Sequence, residues 1–219
     1  MGSGFWDLGF GILTLSSPLQ AIVDVDIAAR AGWEPAALAR AFLDGGALFL
    51  QLRAKELPSG PFLELADTMV RLAEPYGAAV IVNDRVDIAR LAGATGVHVG
   101  QDDLAPAAAR MQLGADAIVG YSTHTVEQIE AAAGEPVTYV AVGPVFGTRS
   151  KETGYDAVGL ALVSAAAQAT TLPIVAIGGV TLETAPSVIS AGAACVAVIS
   201  DLLTDGDPSG RVRRYLAVL

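Results

Sequence analysis

The stretch AAVIVNDRVDIARLAGATGVHVGQDDLAP (residues 78–106) decides the fold. It holds two short apolar runs, AAVIVN (78–83) and GVHVG (96–100), with a short helical segment over 86–91 between them. Strand, helix and strand in succession form the repeating unit of a parallel sheet. Neither run alternates cleanly between polar and apolar, as expected for strands covered on both faces. Each run is followed by acids: Asp84 after the first, Asp102 and Asp103 after the second. In a chain that is only 16% charged, that placement needs a reason.

Outward from this stretch the same alternation continues. Strands are expected at 20–24, 48–53, 117–122, 138–143, 173–178 and 195–200. Helices are expected at about 34–44, 61–75, 104–112, 125–133, 157–169, 181–190 and 208–217. Thr125 followed by Gln128 resembles a capping box, and Pro106 sits in a first helical turn. DGG at 44–46 and AG at 191–192 end helices. Strands and helices alternating eight times predict an α/β fold, the parallel eight-stranded (β/α)8 TIM barrel. A doubly wound open sheet is the rival, but no G-x-G-x-x-G follows the first strand. No linker divides the chain, so one barrel domain is expected over 20–219. Residues 1–19 form an N-terminal extension of unassigned role, in which FWDLGFGILTL (5–15) suits a strand or a helix plugging the barrel.

The bulk composition narrows the function. With 219 residues, 53% of them hydrophobic, the chain can bury a large core. Thirteen basic against 23 acidic residues give a net charge of −10, which argues against a nucleic-acid partner. The apolar runs are too short to span a membrane, and the MGSG start lacks a secretory signal. The one cysteine, Cys195, lies in an apolar strand. It excludes an internal disulfide, reads as a buried inert thiol and fits a cytoplasmic location. Small molecules are the expected partners; a homo-oligomer is compatible with the sequence.

In such a barrel the active site forms where the strands end. Gln51, Arg53 and Lys55 follow the second strand, on one side by period-two alternation. Gly178 and Gly179 follow the seventh, and Ile199 and Ser200 close the eighth. Backbone N–H groups there suit a phosphate monoester, although a Gly-Gly pair also serves a plain tight turn. Asp84 and Asp103 at neighbouring strand ends suit Mg2+, which takes one or two carboxylates plus phosphate oxygens. Their bland alternative is helix capping; Asp102 reads as the solvated member of its pair. Arg53, Lys55, Asn83 and Lys151 suit a more highly charged anion such as a diphosphate, or else a solvated rim. The long loop GPVFGTRSKETG (143–154), with Arg149 and Lys151, suits a lid, or else a floppy charged loop. His98 reads as a hydrogen-bonded interior histidine before a catalytic one. His124 could meet an anion or cap a helix. Two histidines are too few for the metal-dependent sugar-phosphate epimerases of this architecture. Two phosphate sites at one mouth suggest the joining of two phosphorylated small molecules, with diphosphate leaving.

QLRAK (51–55), NDRVDIA (83–89), GVHVGQDDL (96–104), VGYSTHTVEQ (119–128), YVAVGPVFGTRSK (139–151), VAIGGV (175–180) and GAACVAVIS (192–200) together resemble the thiamine phosphate synthase (thiamine-phosphate pyrophosphorylase) family, in order and spacing. The resemblance runs from about residue 20 to 204. It implies a Mg2+-dependent transferase of thiamine biosynthesis. That family joins hydroxymethylpyrimidine diphosphate to hydroxyethylthiazole phosphate and releases diphosphate by dissociative substitution. Carried over by motif, Arg53, Lys55, Asn83 and Lys151 would bind diphosphate, and Asp84 and Asp103 would hold the metal. Gln51 and Ser122 would contact the pyrimidine. Thr148, Ser150, Gly178, Gly179, Ile199 and Ser200 would hold the thiazole phosphate. Lys151, Arg53, Lys55 and Ser122 would be the catalytic set. Ala54 stands where the family usually has Glu, Ser150 where it has Thr, Val23 where it has Thr, and Thr138 where it often has Asp.

Two other functions compete. A thiazole tautomerase of the same superfamily resembles this chain over most strands, but members of that branch carry His where this chain has Pro144. A non-catalytic barrel that senses thiazole or thiamine phosphate would need the phosphate cradle without the metal and diphosphate residues.

Overall fold

The short β-branched runs pair side by side in chain order and close on themselves. The computed structural model describes residue 15, residues 17–147 and residues 156–219. Within these, β1 (Leu19–Asp24), β2 (Phe49–Arg53), β3 (Ala79–Asn83), β4 (Gly96–Val99), β5 (Ile118–Thr123), β6 (Tyr139–Val142), β7 (Ile174–Ile177) and β8 (Cys195–Val198) form one closed barrel. All neighbours are parallel, and β8 pairs back onto β1 through Leu19–Val196 and Ala21–Val198. The expected (β/α)8 TIM barrel is therefore the fold.

The outer layer consists of α1 (Val25–Arg30), α2 (Pro35–Asp44), α3 (Ser59–Ala73), α4 (Val86–Leu91), α5 (Pro106–Leu113), α6 (Val126–Ala132), α7 (Gly159–Ala169), α8 (Ala185–Ser190) and α9 (Pro208–Val218). The sequence reading placed most of these within a few residues, but α1 was not expected. It abuts β1 with no intervening loop, so no turn signal announces it. Asp24 ends the strand and caps the helix at once, its carboxylate accepting from the Ile27 N–H at 3.0 Å. The expected cap at α6 is present: Thr125 accepts from the Gln128 N–H at 3.3 Å. The Gln128 side chain reaches back one residue further than in a standard box, to the His124 N–H.

Alternation along each strand divides the core in two. Leu50, Leu52, Val80, Val82, Val97 and Val99 point outward and pack under the helices. Ile22, Phe49, Ile81, Tyr139, Val175, Cys195 and Ala197 fill the barrel interior. Tyr139 is fully buried there; it stacks on His98 (centroids 5.6 Å apart, planes 18° apart) and meets Phe49 edge-on. Gly120 makes this possible, because a Cβ at that position would lie 2.1 Å from the tyrosine ring and 2.5 Å from His98 Nδ1. The lower barrel is thus plugged by side chains, and the open space lies at the strands' C-terminal ends.

Candidate active site

Asp84 is the one non-glycine residue among those described with a positive φ, at 63°. That region disfavours side chains, although Asp tolerates it better than most. Two backbone bonds fix it: Asp84 N–H donates to His98 O at 2.8 Å, and Arg85 N–H donates to Asn83 O at 2.8 Å. The turn throws the Asp84 carboxylate over the barrel rim, where it meets Lys55 Nζ at 3.0 Å. Asp103 approaches from the loop after β4, its Oδ2 accepting from the Gly100 N–H at 2.7 Å. Partial burial of its carboxyl, and then the neighbouring Asp84, push the Asp103 pKa above the usual range; the Gly100 bond and Lys55 oppose the shift. Neither acid caps a helix, since α4 and α5 start from Arg85 and Ala105. The capping alternative therefore falls, and two carboxylates share one place on the rim.

Two neighbouring carboxylates, with the Asp103 pKa raised, are a poor arrangement for charge by itself and a good one for a cation. Among the described residues no group of three or more His, Cys, Asp and Glu side chains is placed to hold a metal. That set suits a hard cation completed by substrate oxygens better than one caged wholly by protein.

Beside this pair the pocket opens. Gln51, Arg53, Asn83, Ser122, Gly178, Gly179, Ile199 and Ser200, all expected in the site, line it together with His98, His124, Pro144 and Asp201. Arg53 forms a close ion pair with buried Asp24. Its Nε, also buried, has no partner among the described residues, leaving a donor for an anion in the pocket. Gln51 reaches Gln20 (3.5 Å) and Gln20 reaches the Tyr139 hydroxyl (3.4 Å). That hydroxyl meets His98 Nδ1 at 3.0 Å, and His98 Nε2 meets Ser122 Oγ at 2.8 Å. His98 is thus the interior hydrogen-bonded histidine expected, and it orients the serine on the pocket wall. Gln101 Nε2 donates to the Ser122 carbonyl at 2.6 Å. His124 Nδ1 lies 2.6 Å from the Gly143 carbonyl, so its ring faces the loop after β6.

Across the mouth, Gly178 and Gly179 carry φ of 100° and 63°. A Cβ at Gly178 would lie 2.5 Å from Pro144, and one at Gly179 would lie 2.6 Å from the Gly147 carbonyl. These glycines let the chain after β7 press against the loop after β6, which Phe146 N–H ties down on Gly178 O at 2.9 Å. Thr148, Arg149, Ser150 and Lys151 lie outside the described residues. Lys55, Asp84 and Asp103 sit on the rim beside the pocket. Asp102 is exposed, as expected.

The sequence reading missed Asp24, Gln20 and Tyr139 as parts of this site. Asp24 ends a strand just as Asp84 follows one, so the same positional rule would have found it. Gln20 and Tyr139 lie deeper, and only the barrel's curvature brings them under the pocket.

A family model described as thiamine monophosphate synthase matches residues 20–202. A thiamine-phosphate synthase of Anaeromyxobacter dehalogenans is 45% identical over 186 residues, covering 85% of this chain and 83% of the relative. Another, of Koribacter versatilis, is 43% identical over 206 residues, covering 92% and 95%. A solved structure of the thiamine phosphate pyrophosphorylase from Pyrococcus furiosus superposes with a TM-score of 0.82 at 28% identity, covering 91% of this chain and 94% of that one.

Proposed function

Because the chain belongs to the thiamine monophosphate synthase family and is a thiamine-phosphate synthase, joining hydroxymethylpyrimidine diphosphate to hydroxyethylthiazole phosphate, we propose how its residues divide that work. The observation that carries the proposal is the meeting of Asp84, Asp103 and Lys55 on the rim beside Arg53. Asp84 and Asp103 would hold Mg2+. When bound, the ion supplies positive charge that offsets the charge growing on the leaving diphosphate. Arg53, through its Nε that has no partner among the described residues, Lys55, Asn83 and Lys151 bind the diphosphate oxygens. Gln51 and Ser122 orient the pyrimidine, with His98 fixing the serine hydroxyl. Gly178, Gly179, Ile199 and Ser200, with Thr148 and Ser150, hold the thiazole phosphate.

The methylene C–O bond of the pyrimidine breaks, diphosphate leaves with the electron pair, and the thiazole nitrogen supplies the pair for the new C–N bond. Neither step needs a strong protein base, and the pocket is built from donors and positioning groups instead. Pro144, which lines the pocket and cannot carry a proton, is a poor residue for a tautomerase. A single barrel domain belongs to this reading, with its first strand starting at Leu19 rather than at residue 20, as does a cytoplasmic setting that suits the single buried thiol.

The test is diphosphate release from the pure protein, omitting the pyrimidine diphosphate, the thiazole phosphate and Mg2+ in turn. Release is expected only with all three, with thiamine phosphate formed. Undiminished release after chelation of Mg2+ would remove the metal role of Asp84 and Asp103. Binding of the thiazole phosphate without release would move the function to a tautomerase or a sensor.

A further inference from the structure

The loops after β7 and β8 are held together by Asp201, at the edge of the pocket. Asp201 follows Ser200 directly, and its Oδ2 accepts four hydrogen bonds. One comes from the Leu182 N–H in the loop after β7 (3.1 Å). Two come from Arg211 (Nε 3.2 Å, Nη2 2.7 Å) and one from the Tyr215 hydroxyl (2.5 Å). Arg211 and Tyr215 stand one turn apart on α9, so a single helix face presents both. The Tyr215 hydroxyl also lies 3.5 Å from the Val180 carbonyl, and Tyr215 is fully buried. The Asp201 and Arg211 side chains are only 13% and 11% exposed. One carboxylate oxygen thus ties together the loop after β7, the turn after β8 and the last helix.

We propose that Asp201 is a positioning residue for the thiazole phosphate: anchored by Arg211 and Tyr215 of α9, it locks the Gly178–Leu182 loop to the Ile199–Ser200 turn so that both converge on one phosphate. This rests on the phosphate site proposed above. The cradle is built from backbone of two separate loops, so their relative position sets the fit; a shift of about 1 Å is enough to weaken a preorganised site. In this role Asp201 acts through the two loops it holds, and α9 acquires a role beyond covering the barrel.

The experiment is steady-state kinetics on Asp201→Asn and Tyr215→Phe, with each substrate varied in turn and thermal unfolding measured alongside. Asp201→Asn keeps the volume but loses the carboxylate nearest Arg211, at 2.7 Å, leaving it Asp205 at 3.8 Å and Glu183 at 4.0 Å. KM for the thiazole phosphate is expected to rise about 10-fold, while KM for the pyrimidine diphosphate and kcat stay within about 2-fold. Tyr215→Phe keeps the packing and loses one bond, so a rise of about 3-fold in the same KM is expected. A purely structural Asp201 would lower Tm, and with it the active fraction, without moving either KM; that result overturns the proposal. Gly179→Ala separates this failure from failure of the site itself. If it raises KM for the thiazole phosphate while Asp201→Asn does not, the cradle stands and the clamp falls. If it spares that KM, the cradle assignment falls and the clamp with it.

Discussion

Asp84 combines a backbone conformation that disfavours it with a carboxylate that faces another acid. Neither feature helps folding, and both suit a site that gathers a cation and an anionic substrate. Asp84→Gly should therefore separate function from stability. Glycine adopts a φ of 63° freely, so chemical denaturation should find the variant within about 1 kcal/mol of the parent despite the lost Lys55 contact. Turnover should fall about 100-fold or more. A variant that unfolded readily, or one that kept near-parental rates, would contradict the metal assignment. The acid at this position was visible in the sequence as a residue just past an apolar run. Its left-handed backbone was not, because that depends on Asp84 N–H finding the His98 carbonyl of the neighbouring strand.

At the scale of elements, β5 shows how one position governs the floor of the site. Gly120 leaves room for Tyr139 and His98 to stack, and that pair carries the hydrogen bonds up to Ser122. Gly120→Ala would drive a methyl group into both rings, and overpacking of this kind costs about 1–3 kcal/mol. Thermal unfolding should show the loss directly. KM for the pyrimidine diphosphate should rise as well, since Ser122 would lose its fixed partner. An unchanged Tm would mean that the rings have somewhere else to go. Strands and helices themselves were legible from apolar runs and caps. The exceptions were α1, which begins with no loop before it, and the 3-10 turn Ser200–Leu203, which the strand reading had absorbed up to Ser200.

At the scale of the whole molecule, closure of the barrel places Cys195 inside a sealed core. It is fully buried, and that burial raises its thiol pKa. A thiol held protonated gains no reactivity as pH rises through the range in which an ordinary cysteine ionises. Alkylation of the native protein should therefore stay slow from pH 7 to about 9 and track global unfolding when denaturant is added. Fast labelling that followed ordinary cysteine ionisation would show that the barrel opens locally at β8. Among the described residues no helix is long and apolar enough to cross a membrane.

The sequence by itself determined the repeating strand–helix order, the strand ends where chemistry gathers, and the motif set that marks the family. These are local properties: side-chain periodicity, turn residues and short spacings all lie within a few positions of one another. Only the tertiary structure decided that Asp24 pairs with Arg53, that Gln20 and Tyr139 support the pocket floor, and that α9 reaches Asp201. Those contacts join positions 10 to 119 residues apart. They exist because closing the barrel turns alternate side chains of distant strands toward one axis and brings the last helix against the loops of β7 and β8, which no window on the chain contains.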